Sequence, residues 1–245
     1  MRATNLEFRL RMPINAIIII LGFVSPWIEQ WGIGKRVSSL EWLALELSRH
    51  ANISFALATP AVILLAALIA ANGAFLRVWG AAYLGPTTVQ SAQMKAGTVM
   101  ADGPYRFVRN PLYLGLWCMV AALAFLMPPT GALFAMILIT IFLLRLTLGE
   151  EAFLSAKIGE PYKAYLRAVP RFIPRLRPAL ASAGAKPHWL RAALSEILPI
   201  GVFVTLAFLS WTYDSRMMGR AILISFGVSL VVRALMPNAP SGSEQ

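Results

Sequence analysis

The chain of 245 residues has little that ionises and a single cysteine. Only 13% of its residues are charged, where a soluble domain carries roughly 25%. Eleven residues are acidic and two are histidine. The single cysteine, Cys118, excludes an intrachain disulfide and a thiolate-based metal site. His50 and His188 lie far apart with no ligand spacing around them, so they read as loop or interface residues and no metal is expected.

Apolar length is what the chain has instead. Hydrophobic residues make up 58%, and the mean hydropathy is +0.66. A net charge of +11 would raise nucleic acid as the partner of a soluble protein. Here the basic residues fall between long apolar runs, the pattern of the positive-inside rule. Membrane lipids are therefore expected as partners, and nucleic acid is not.

A helix needs about 20 mostly apolar residues to cross the hydrocarbon core. The first such stretch lies between Arg11 and Glu29; no small-residue cleavage site follows it, and Ser25-Pro26-Trp27 looks like a membrane interface. The second runs from Ala51 to Leu76. The third, Asn110 to Leu144, is too long for one helix. Pro128-Pro129-Thr130-Gly131 divides it into two antiparallel spans, because prolines remove helical donors and favour a turn. A fifth span covers about Ile197 to Trp211. A sixth covers about Met217 to Met236, with Arg220 and Arg233 snorkelling to the interfaces.

With six spans, sixteen basic residues fall on the side of the termini and five on the other, and Arg145 lies within a span. Both termini are thus expected in the cytoplasm. The lack of long disordered tails favours a bacterial inner membrane. The expected fold is an all-α polytopic membrane helix bundle of about six transmembrane helices, with a cytoplasmic amphipathic helical segment. Its parts are two N-terminal spans (1–75), a core with the hairpin and a cytoplasmic site (76–177), a basic linker (178–191) and two C-terminal spans (192–245).

The short hairpin makes its two cytoplasmic ends neighbours, so Arg109-Asn110-Pro111 should lie beside Glu150-Glu151. Pro111 suits a first helical turn, Asn110 is a candidate side-chain cap, and the helix start favours an anionic group. Gly115 allows close approach. The same segment also fits an arginine and aromatic belt opening a span. Nothing about orientation requires Glu150-Glu151, and two carboxylates at the membrane face suit a diol, an amine or a sulfonium-bearing cofactor; a solvated helix end is the alternative. Arg145 either snorkels, pairs inside the bundle or reaches the same site. Residues 152–166 read as an amphipathic helix pair interrupted at Gly159-Glu160-Pro161, lying on the membrane or covering the site.

At these residues the chain resembles the isoprenylcysteine carboxyl methyltransferase family, which is related to the membrane phospholipid methyltransferases. The resemblance rests on Gly103-Pro104-Tyr105-Arg106, Arg109-Asn110-Pro111-Leu112-Tyr113-Leu114-Gly115, Glu150-Glu151, Ile158 through Tyr165, and Pro170-Arg171. Upstream, Arg77-Val78-Trp79-Gly80 and Tyr83-Leu84-Gly85 also fit, so the likeness covers about Leu76 to Pro174. It implies a membrane methyltransferase that uses S-adenosyl-L-methionine and is not of the soluble Rossmann type, in keeping with the lack of a glycine-rich dinucleotide fingerprint.

By that resemblance Tyr105, Arg109, Asn110, Pro111, Tyr113 and Gly115 line the cofactor's amino-acid end and sulfonium. Glu150 and Glu151 hold its ribose or amino group. Arg109, Arg145 and Arg171 are the catalytic candidates, with Arg167 also near the acceptor. Asn110 stands where the family usually has histidine, and an amide carries no proton at neutral pH. The methyl acceptor is expected to be lipophilic or small, reaching the site from the bilayer. Two other readings stay open: a nicotinamide-dependent membrane reductase of the steroid-reductase type, and a non-catalytic membrane scaffold.

Overall fold

The computed structural model describes residues 3–25, 37–84, 102–212 and 215–235. Pro26, Trp27, Lys35, Arg36, Gly85, Lys95 and Met236 lie outside the described residues. Within them the chain is helical, without strands. The helices are α1 (Asn5–Arg9), α2 (Arg11–Val24), α3 (Ser39–Ala51), α4 (Phe55–Leu84), α5 (Pro111–Ala124), α6 (Pro129–Ile158), α7 (Glu160–Ala168), α8 (Trp189–Ser195), α9 (Ile197–Thr212) and α10 (Ser215–Leu235). A 3₁₀ turn spans Gly103–Arg106.

Each of the six apolar stretches contains a helix, but among the described residues only α4 and α6 are long and apolar enough to cross a membrane by themselves. The pair α8 and α9, bent by 74°, makes a third crossing if it counts as one span. α2 and α5 have 14 residues each, about 21 Å at 1.5 Å per residue, against a hydrocarbon core of about 30 Å. Length and composition therefore establish fewer crossings than the expected six.

The hairpin forms as its prolines require. Pro111 opens α5 and Pro129 opens α6, both in the first turn, where a missing N–H costs nothing. α6 then runs for 30 residues, so the expected surface pair over 152–166 is half absent. Nothing between Ala152 and Ile158 separates that stretch from the long helix, while the expected interruption at Gly159-Glu160-Pro161 does occur, at Gly159, whose φ of 77° suits glycine. α7 alone is the separate amphipathic helix, and its Tyr162 and Tyr165 pack with Leu154, Ile158 and Val169.

α4 sits at the centre, against α3, α5, α8 and α9. α5 lies close on α4, since a Cβ on Gly115 would stand 2.6 Å from the Arg77 Cγ and 2.8 Å from the Gly73 carbonyl oxygen. α2 crosses α6 in the same way at Gly22 and Gly131. The main core joins Met119, Val120 and Leu123 of α5 to Ile139, Phe142 and Leu146 of α6 and to Val202 and Leu206 of α9.

α3 was not anticipated in what read as an outer loop. Ser38 and Glu41 close a capping box, with the Ser38 N–H donating to Glu41 at 2.9 Å and the Glu41 N–H to Ser38 at 3.2 Å. Leu40 and Ala44 then bury against Ala58, Val62 and Ile63 of α4.

Candidate functional site

The hairpin brings its two ends together as the sequence implies, but it separates the two carboxylates. Side chains on a helix lean toward its N-terminus. Tyr113 therefore leans toward the N-terminal end of α5, while Glu150 leans back along α6 to meet it. The Tyr113 hydroxyl donates to Glu150 Oε2 at 3.0 Å. Glu151 is about 100° further round the helix and faces the loops. There Arg109 Nη1 lies 3.3 Å from its Oε1, and Arg171 Nη2 lies 2.8 Å from its Oε2. The Arg171 Nε also reaches both oxygens, at 3.1 and 3.2 Å.

One nearly buried carboxylate is thus clamped between two guanidiniums, a group with one excess positive charge. The Glu151 side chain is 8% exposed and Arg109 11%, while Arg171 is 37% exposed and carries the open side of the group. Arg109 Nε is buried with no hydrogen-bond partner. An unpaired buried donor is costly and rare in a native chain.

A strap of backbone holds the two arginines in place. The Arg109 N–H donates to the Pro170 carbonyl at 2.9 Å, the Arg175 N–H to Phe107 at 3.0 Å and the Ala179 N–H to Arg106 at 2.8 Å. Arg106 Nε adds a bond to the Leu180 carbonyl at 2.8 Å. Asn110 takes part in this strap and makes no side-chain cap, contrary to expectation. Its side-chain amide instead donates to the Arg171 carbonyl at 3.2 Å.

Tyr105 lies beneath the strap. Its hydroxyl donates to the Gly80 carbonyl at 3.4 Å, and its own carbonyl accepts from Tyr165 at 3.0 Å. Burial, with the Tyr165 ring beside it, pushes its phenol well above the ordinary range, so it remains a donor. Asp102 ties down the far end of the strap, accepting from the Ser182 hydroxyl and from the N–H groups of Ala183 and Ala185. Those bonds, that of Ser182 first, hold its carboxyl below the usual range.

Other candidates go elsewhere. Arg145 is held by Glu7 of α1, through Nη2 at 2.9 Å from each carboxylate oxygen and Nε at 3.1 Å; it is not brought into the Glu151 group. Arg167 is exposed and pairs with Glu160 at 3.3 Å. The neighbour that approaches Gly115 is α4 itself. Among the described residues no three His, Cys, Asp or Glu side chains gather as metal ligands.

One charged contact escaped the sequence reading. Glu196, with no exposed side chain, accepts from Arg77 Nε at 2.6 Å and Nη2 at 2.9 Å. Arg77 Nη1 also donates to the Leu112 carbonyl at 3.3 Å. The pair ties α4 and the α8–α9 bend to the first turn of α5, which carries Tyr113. A signal was present, because Glu196 is the only acid between Glu160 and Asp214 and opens an apolar run.

Long apolar helices with a buried charged group where a hairpin ends define the class, a membrane protein with a polar site at the hairpin's open end. Residues 61–160 match the phospholipid methyltransferase family, consistent with the membrane methyltransferases that the motifs resemble. The matched stretch includes Arg77, Arg109, Tyr113, Glu150 and Glu151, and Arg171 lies beyond it. It supports a membrane methyltransferase in general terms and lends nothing to a nicotinamide-dependent reductase. No curated protein and no solved structure gives a match.

Proposed function

We propose that the protein is an S-adenosyl-L-methionine-dependent methyltransferase of the isoprenylcysteine carboxyl methyltransferase type, acting on a lipophilic or small acceptor at the cytoplasmic membrane face. The observation that carries this reading is the meeting of Arg109, Glu151, Arg171 and the Tyr113–Glu150 pair at the end of the hairpin, four of the five residues within the family match. Bound there, S-adenosyl-L-methionine supplies a methyl group on an already electrophilic sulfonium.

The donor set fits such a group. The unpaired Nε of Arg109 suits the cofactor's carboxylate, since guanidinium donors bind carboxylates best. Glu150, oriented by Tyr113, suits its ammonium or a ribose hydroxyl. Glu151 keeps Arg109 and Arg171 in register, which gives this carboxylate a positioning role. Methyl transfer from a sulfonium is an in-line displacement, so the protein's work is alignment and exclusion of water. Asn110 supplies no base, which favours an acceptor already ionised at neutral pH, such as a carboxylate.

Calorimetric titration of the detergent-purified protein with S-adenosyl-L-methionine tests the reading. The Glu150→Gln/Glu151→Gln variant should stay helical and lose binding; wild-type affinity in that variant would refute the site. Stabilisation by NADPH with no response to S-adenosyl-L-methionine would identify a reductase, and silence toward both a scaffold, because a true ligand raises the unfolding temperature. Mass spectrometry of lipids and small molecules after deletion, searching for a species short of one methyl group, identifies the acceptor.

A further inference from the structure

Between Glu160 and Glu196 the chain has seven basic residues and no acid. Lys163 and Arg167 pair with Glu160, and Arg171 with Glu151. Arg175, Arg177, Lys186 and Arg191 are exposed and, among the described residues, pair with no carboxylate. Large apolar side chains stand uncovered among them. Ile173 is 82% exposed, Leu176 fully, and Leu190 77%.

This segment is not a loose tail. The Arg175 and Ala179 bonds to Phe107 and Arg106 hold one side of it, Asp102 holds residues 182–185, and the His188 N–H donates to the Ala82 carbonyl at 2.9 Å. A rigid tip that displays isoleucine and leucine to water loses about 25 cal/mol for each Å² left unburied. Alternation with arginine is the composition of a lipid interface.

Its level agrees. Glu151 lies 22 residues along α6 from Pro129, about 33 Å, just beyond a hydrocarbon core of about 30 Å. Arg171 bonds Glu151, so the tip that follows it stands at headgroup depth. α8 meets α9 at 74°; where α9 crosses the bilayer, α8 lies near its plane, with Trp189, Leu190 and Arg191 exposed.

We propose that the 173–178 tip and α8 form one docking surface for acidic phospholipids in the leaflet on the site's side. Ile173 and Leu176 enter beneath the phosphates, and Arg175 and Arg177 pair with the phosphates themselves. The surface sets the Glu151 group at the lipid boundary, and it stands whether or not the protein transfers a methyl group.

The test uses the full chain in lipid nanodiscs. A fluorophore is placed on Leu176→Cys in a Cys118→Ala background, with the spin-quencher on shallow lipid positions. In an equimolar mixture of phosphatidylcholine and phosphatidylglycerol, emission should shift to the blue and be quenched, less so in phosphatidylcholine alone and in high salt. Arg175→Gln/Arg177→Gln should lower the inserted-to-free ratio roughly 25-fold, at about fivefold per arginine, and lysine at both positions should preserve it. The same label on Leu190→Cys reads α8 independently, and each variant is used only after its unfolding midpoint matches that of the parent. Water-like emission in the mixture would overturn the proposal. So would equal quenching without phosphatidylglycerol, or shielding that depends on the number of protein copies per disc, which marks a protein interface.

Discussion

Glu196→Gln is the substitution on which the charged architecture can be judged most sharply. The Glu196 carboxylate is fully enclosed and faces a guanidinium 14% exposed, across bonds of 2.6 and 2.9 Å. Glutamine keeps the shape and one acceptor but removes the charge. Arg77 is then left with the Leu112 carbonyl and a neutral amide. Removing one partner of a buried pair costs about 3–5 kcal/mol; the retained acceptor places this variant near the lower end, about 3 kcal/mol. Equilibrium unfolding in mild detergent, followed by helical circular dichroism, measures it. Glu46→Gln, which breaks a pair exposed by 65% on Arg49 and 33% on Glu46, is the control and should change little. Arg77→Met combined with Glu196→Leu should recover most of the loss, because an apolar pair leaves no buried charge. If Glu196→Gln unfolds like the wild type, or the double variant is no better than the single one, the pair does not hold α5, α4 and the α8–α9 bend together.

Three further outcomes follow from the packing and the charges. Gly131→Ala should cost about 1–3 kcal/mol in the same assay, because its Cβ would meet the Gly22 carbonyl, a backbone atom that cannot rotate away; a neutral result would refute the α2–α6 contact. Bonds from Arg145, then from the Thr4 backbone, lower the Glu7 carboxyl from 4.5 to about 2. A depressed pKa contributes stability above the unfolded value that disappears as pH falls through the folded one, so the wild type and Glu7→Gln should differ in unfolding temperature above pH 5 and converge near pH 2. Asn110→Asp removes the donor to the Arg171 carbonyl; leaving that bond unmade costs about 1–3 kcal/mol and should speed tryptic cleavage after Arg175.

Much of the hairpin was legible because prolines act locally. Pro111 and Pro128-Pro129 decide where α5 and α6 begin whatever surrounds them, and the antiparallel return then forces Arg109 beside Glu151. α3 is equally local, written in Ser38-x-x-Glu41 ahead of the apolar residues of its buried face. What adjacent letters conceal is direction. Glu150 and Glu151 read as one pair, yet successive helical positions point about 100° apart, so one carboxylate meets Tyr113 and the other two arginines.

Partner choice was the least legible feature, for a reason that lies in the composition. With 22 basic and 11 acidic residues, an enclosed acid has many cations to choose from, and an unpaired buried charge is far more costly than a paired one. The letters establish that a partner exists but not which of many it is. Glu7 reaches Arg145 across 138 positions, and Arg77 reaches Glu196 across 119. The same imbalance has a second consequence. While Glu7, Glu151 and Glu196 hold Arg77, Arg109, Arg145 and Arg171, Arg175 and Arg177 stand exposed beside Leu176 and, among the described residues, pair with no carboxylate. The lipid docking proposed above would answer that charge with phosphates.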